Sequence, residues 1–140
     1  MSILERYQAY ADAFEKSYED DDWSHIEPFF TENASYTAGE PHAHGRDAVL
    51  AKLKGSVDAF DHRMDSRTLD FDPPQVDGST VTTKWRGTYT KAGLPDLVIS
   101  GVEEATFEGD RIVLLSGSFD PEAQKALGQW MAQHGAALAS

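Results

Sequence analysis

The segment from Leu97 to Phe119, "LVISGVEEATFEGDRIVLLSGSF", constrains the fold more than any other part of the chain. Apolar and polar residues alternate through its first half, the period of a strand with one buried face. Gly109-Asp110 supplies the tight reversal that joins it to a second strand. An earlier run, "TVTTKWRGTYT", alternates as clearly. Val81, Thr83, Trp85, Gly87 and Tyr89 share one face, and Thr82, Lys84, Arg86 and Thr88 the other. "SRTLDFD" puts Leu69 and Phe71 on one side of a further strand, and Asp77-Gly78 is a hairpin signal. Consecutive strands joined by short turns predict an antiparallel sheet, and one face of it must be buried against other elements.

Helices supply that cover. "SILE" is a capping box, with Ser2 as the cap and Glu5 reaching back to it. Ile3, Tyr7, Tyr10, Phe14 and Tyr18 follow at three- and four-residue spacing, which predicts a helix to about Tyr18. "WSHIEPFF" predicts a short second helix capped by Asp22, and "ASYTA" a short strand. A third helix is expected from Arg46 and Asp47, with a stripe of Val49, Leu50, Leu53, Val57, Phe60 and Met64. Asp120 and Pro121 open a last helix carrying Leu127, Trp130, Met131 and Leu138. Helices segregated from strands mean α+β, in one domain over residues 1–140. The strand "RIVLLSGSF" reads as apolar on both faces, Val113 and Leu115 on one and Ile112 and Leu114 on the other. A second apolar face needs a cover, either the last helix or another subunit, and a homodimer through that face is expected.

Bulk properties narrow the function. A hydrophobic fraction of 40% supports a packed core. The formal charge of −12, from 24 acidic and 12 basic residues, disfavours nucleic acid and anionic lipid as partners. No apolar run is long enough to span a membrane. The N-terminal "MSILERYQAY" has no basic segment followed by a hydrophobic one, so no signal peptide is expected. The chain has no cysteine, which removes thiol chemistry and fits a cytoplasmic setting. A small apolar or aromatic ligand, shielded inside the fold, remains the expected partner.

Glu103 is the sharpest functional candidate. It shares strand parity with Gly101, Ala105 and Phe107, so it points inward while Glu104 points out. A register slip of one residue would exchange the two. A carboxyl buried among aromatic rings has a raised pKa, the usual route to a general acid near neutral pH. Tyr10 and Tyr36 are phenols that can act with it, or core aromatics with hydroxyls at the rim. Arg67, in phase with Leu69 and Phe71, can reach inward and pair with it. Phe14, Phe60, Trp85, Tyr89 and Phe119 are expected to line a cavity for a flat, mostly apolar ligand. Gly87 and Gly117 on inward positions argue for empty volume or for sheet bending. "HAH" at 42–44 is half of a metal site at most, so neither a metal nor another cofactor is expected.

In element order, and in "FFTENASYTA", "HGRDAVLAKL" and "GVEEATFEGDRIVLLSGSFDPEA", the chain resembles the nuclear transport factor 2-like superfamily, in particular its SnoaL-like branch. The resemblance covers essentially the whole chain. It implies a cone: a curved antiparallel sheet wrapped around N-terminal helices, with a C-terminal helix added. Its members include ketosteroid isomerase, polyketide cyclases, limonene epoxide hydrolase, dehydratases and proteins that only bind or dimerise. Against ketosteroid isomerase, Phe14 falls at the oxyanion-hole tyrosine, Ala38 at the aspartate base and Glu103 at the protonated aspartic acid. Only the last is matched in kind. Gly101 and Gly117 fall where two groups of an epoxide hydrolase site would stand. SnoaL-like cyclases imply a carboxylate and histidine acid–base pair, whose nearest analogues in type are Glu103 and His62. His62, just past the third helix, has the alternative of facing water or the helix end. The expected function is thus cofactor-free acid–base chemistry (isomerisation, cyclisation or dehydration) on an apolar cyclic or polyketide-like substrate. The alternative is a non-catalytic ligand-binding or dimerisation module.

Overall fold

The computed structural model describes residues 2–38 and 41–138. Helix α1 spans Ile3–Asp20. Its capping box is complete: the Glu5 amide donates to Ser2 Oγ and the Ser2 amide to Glu5 Oε1, each at 3.1 Å. The helix ends at Asp21 in the left-handed region, φ 59°. The expected second helix is two separate 3-10 turns, Trp23–His25 and Glu27–Phe29. Pro28 has no amide to continue a ladder. Strand β1, Phe30–Tyr36, starts earlier than its sequence signal. After β2 (Ala43–His44) comes helix α2, Arg46–Ala59. Strands β3 (Ser66–Phe71), β4 (Gln75–Asp77), β5 (Thr80–Thr90), β6 (Leu97–Glu108) and β7 (Arg111–Phe119) follow, and helix α3, Pro121–His134, closes the order. No described helix is long and apolar enough to cross a membrane.

The sheet is curved and unclosed, in the order β2-β1-β7-β6-β5-β3, with β4 paired to β5. It is mixed rather than wholly antiparallel, because β1 runs parallel to β7. The chain leaves β1, passes through α2 and the meander, and returns to that edge only with its last strand. Gly78 and Gly109, at φ 61° and 65°, make the two tight reversals, where an L side chain would be strained.

Inner and outer faces follow strand parity except at one point. Phe107 opposes Ile112, but Thr106 opposes Leu114, so β7 carries a bulge at Val113. The bulge turns Ile112 and Leu115 to the same side, and both are fully buried. This corrects the expectation of a strand apolar on both faces: two of its four large residues are core, and Leu114 stays 36% exposed outside. The inner face has two covers. One core packs α1 and α2 on Val81, Ala105 and Phe107. A second packs Trp130 and Ala123 of α3 on Tyr89, Leu97 and Ile99. The last helix thus caps the same concave face and leaves the outer one open, with Val98 48% exposed.

Between the covers, β6 and β7 approach closely. A Cβ on Gly101 would lie 2.3 Å from the Ser118 carbonyl oxygen, whereas one on Gly117 would meet nothing nearer than 3.5 Å. Gly101→Ala is expected to lower stability by about 2–3 kcal/mol, and Gly117→Ala to stay within about 1 kcal/mol of wild type. Urea unfolding of the two variants checks the contrast.

Candidate functional site

The site is built where α1 crosses the sheet. On β6, Glu103 stands opposite Thr83 of β5 and Gly117 of β7. The capping box fixes where α1 begins, so Tyr7 falls one turn in, on the stripe that faces the sheet. Its hydroxyl donates to Glu103 Oε2 at 2.5 Å. Glu103 as a residue keeps a little exposure, yet enclosure of its carboxyl is the main influence on its ionisation. Burial raises the pKa, and the Tyr7 hydrogen bond offsets only part of that rise. No cation pairs with Glu103 among the described residues. Burial, followed by the Glu103 charge, pushes the Tyr7, Tyr10 and Tyr36 phenols well above their usual range. A buried carboxyl hydrogen-bonded to a phenol, within electrostatic reach of two more and without a paired cation, is chemically able to hold a proton.

A cleft of about 620 Å³ opens between α1 and β3. Ala11, Leu69, Phe71 and the Pro73-Pro74 corner form its apolar walls, and Tyr7 and Thr83 are part of its lining, with Glu103 behind Tyr7. Glu15 and Arg67 also line it.

The residues singled out from the sequence separate. Arg67 does line the cleft, but it does not pair with Glu103. Its guanidinium, 7% exposed, donates to Glu15 at 2.7 Å and Asp61 at 3.1 Å and lies over the Tyr18 ring at 3.8 Å. Two nearer carboxylates claim it. Tyr10 is buried with its ring edge-on to Phe14, Phe29 and Phe30, close enough to Glu103 to feel its charge. Phe14 packs on Trp23, and Phe60 on Tyr89 and Trp130. Tyr36 packs beside the first core. Trp85 and Phe119 meet edge-on at 5.9 Å, and Trp85 borders a smaller groove of about 390 Å³. Most of the expected aromatic wall is therefore core packing. Gly87 leaves no hole either, since a Cβ there would lie 2.9 Å from the Tyr89 ring.

A family model described as a SnoaL-like domain matches residues 7–115. The chain belongs to the SnoaL-like family. A search of the curated proteins finds no match. Solved structures similar to this SnoaL-like chain include an NTF2-like protein of unknown function from Burkholderia pseudomallei, at 17% identity and TM-score 0.67, covering 93% of this chain and 98% of that one. TerC co-crystallised with polyporic acid is similar at 12% identity and TM-score 0.67, covering 91% and 98%. An LEH-like epoxide hydrolase from M. tuberculosis is similar at 17% and 0.64, covering 92% and 93%. At these identities the likeness concerns the fold.

The histidine sought as acid–base partner in this SnoaL-like chain lies elsewhere. His62 Nε2 donates to the Tyr18 carbonyl at 2.8 Å and Nδ1 meets Asp58 Oδ1 at 3.0 Å. Both partners offer acceptor oxygens, an arrangement that favours the protonated ring. Partial burial opposes that charge, but the two hydrogen bonds prevail and raise the pKa. Asp21, Asp58 and His62 bring ligand-type atoms within 4.8 Å of one another. Lys54 already sits between the two acids, 2.7 Å from Asp58 and 3.3 Å from Asp21. With both ring nitrogens engaged and Lys54 between the acids, the cluster is a surface ion network.

The functional residue the sequence reading missed is Tyr7. The helical stripe contains it, but nothing in the spacing separates it from Tyr10. If burial holds the Glu103 carboxyl above its ordinary 4.5, the folded state resists ionisation that the unfolded state accepts. Its contribution to stability is then complete below pH 4.5 and is lost as pH rises through the folded pKa. Glu103→Gln keeps an acceptor for Tyr7 and removes the titration. Its melting temperature relative to wild type is expected to climb above pH 4.5 and then level off. A relative melting temperature that falls as pH rises toward 4.5 and is flat above it would show a depressed pKa instead.

Proposed function

We propose that the chain is a small-molecule pocket protein that uses Tyr7 and Glu103 for cofactor-free proton transfer on an apolar cyclic ligand held between α1 and β3. The hydrogen bond of 2.5 Å from Tyr7 to Glu103 beneath an apolar cleft carries this reading. Tyr7 is the group that faces the ligand, and Glu103 acts through it. As the phenol oxygen takes a proton from the ligand, the phenol's own proton passes to Glu103 Oε2. The reverse movement returns a proton at another ligand atom and completes an isomerisation. Loss of a hydroxide or closure of a ring at that stage gives dehydration or cyclisation. A carboxyl with a raised pKa exchanges protons near neutral pH at lower cost than an exposed one.

A non-catalytic binding module is the second reading. It is favoured by the state of His62, whose nitrogens are both committed on the surface. A thermal-shift screen of cyclic ketones, quinones and epoxides, followed by product analysis of the hits, separates the two. Under the first reading Glu103→Gln and Tyr7→Phe still bind the hits but lose turnover by at least about a hundredfold. Hits that stabilise wild type yet are never converted support the binding module.

The reading includes a cytoplasmic homodimer through the outer sheet face, where Val98 and Leu114 are exposed. Light scattering is expected to give twice the chain mass for wild type and the chain mass for Val98→Glu combined with Leu114→Glu. A wild-type monomer would refute the dimer.

A further inference from the structure

Thr83 is the one buried side chain on the cleft whose presence packing does not explain. It lies on the inner face of β5 between Val81 and Trp85, opposite Glu103 across the ladder. The residue is 2% exposed, yet Oγ1 has no hydrogen-bond partner among the described residues. A near polar neighbour is the Tyr7 hydroxyl, toward which it acts as a weak donor that favours the ionised phenol, but the pair does not reach hydrogen-bond geometry. A buried hydroxyl without a partner is costly. Valine has nearly the same shape, suits a strand better and carries no such penalty. A local rule broken at a cleft, with no internal gain, points to a partner from outside.

The chemistry of that partner follows from what the floor offers. The Tyr7 proton is committed to Glu103. Thr83 is therefore the free donor beside it, and the atom it lacks is an acceptor. Ala11, Leu69, Phe71 and the two prolines make the lining mostly apolar, and Gln8, Asp12, Glu15, Arg67 and Asp72 complete it. We propose that Thr83 is the specificity-determining residue of the cleft, donating to an oxygen acceptor (a ring carbonyl) on an otherwise apolar ligand. This deepens the function proposed above and rests on the cleft being a small-molecule site. Thr83 holds the oxygen next to Tyr7, so the ligand enters in one orientation. A hydrocarbon of the same shape leaves the hydroxyl as unsatisfied as before and gains less.

Isothermal titration with a matched pair, 2-tetralone against tetralin, tests this on wild type, Thr83→Val and Thr83→Ser. Wild type is expected to bind the ketone about tenfold more tightly than the hydrocarbon, the effect of one buried hydrogen bond. Thr83→Val is expected to bring that ratio to about one, and Thr83→Ser to keep it. The empty Thr83→Val protein is also expected to melt higher than wild type. Equal binding of both probes by wild type, or a ratio unchanged in Thr83→Val, would overturn the role of Thr83 and leave the cleft as a ligand site. A lower melting temperature for Thr83→Val would show that the hydroxyl is satisfied internally, and would overturn it too. Binding of neither probe would remove both this proposal and the small-molecule reading beneath it.

Discussion

The bond between Tyr7 and Glu103 joins the helical layer to the middle of the sheet, and the rest of the concave face is arranged around it. Helix α1 has three anchors along its length. At its start, Arg6 donates to the Asp110 carbonyl at 2.9 Å and the Pro28 carbonyl at 3.2 Å. One residue on, Tyr7 reaches Glu103. At its far end, Glu15 and Tyr18 hold Arg67. The first anchor is exposed, and the other two are sheltered from water, where hydrogen bonds and ion pairs are stronger than at the surface. Because α1 is held at both ends, the cleft beside it is a fixed feature rather than a gap between loosely docked layers.

The acids of this chain are sorted by how each is compensated. Glu15 and Asp61 share Arg67. For Asp61, burial still outweighs the nearby guanidinium and its pKa rises. Asp58 and Asp21 share Lys54, and His62 adds a second cation to Asp58. Glu103 alone, deeper than these, is given a phenol and no cation. A cation would have pinned it as a carboxylate and made it a structural ion pair. A phenol does not pin the carboxyl in its charged form as a cation would. With Arg67 held by Glu15 and Asp61, Glu103 keeps Tyr7 as its hydrogen-bond partner and no cation among the described residues.

Strand alternation made the faces legible: period two in "GVEEATF" points residue 103 inward, where the structure finds it. The capping box was readable because it is a local exchange of hydrogen bonds. Three features were not readable, each for a physical reason. The bulge at Val113 depends on the pairing of β7 with β6, which no single strand encodes. The parallel partnership of β1 with β7 joins segments far apart in the chain, through a crossover that composition does not mark. Tyr7 and Tyr10 lie on one helical stripe, and which of them reaches the carboxyl depends on the crossing of α1 over the sheet. The aromatic residues misled for a related reason. Large rings fill cores as readily as they line cavities, and α3 supplied a second core that consumed Phe60 and Tyr89.

Across β5, β6 and β7 one row of the inner face reads Thr83, Glu103, Gly117: a hydroxyl, a carboxyl and no side chain. The row on one side reads Val81, Ala105, Leu115, and the row on the other Trp85, Gly101, Phe119. A sheet that needed polar groups only for register would satisfy them within the sheet. Here the carboxyl reaches out of the sheet to a helix, and the hydroxyl beside it reaches nothing among the described residues. The polar row is also the one over which α1 leaves the cleft. Of the three, Thr83 alone is part of the cleft lining, while Glu103 is reached from it through Tyr7 and the space beside Gly117 is bordered by Ala38 and the Val102 carbonyl. The polar pair, Thr83 and Glu103, is thus placed by the ladder beside the opening, where an aliphatic pair would be cheaper to bury.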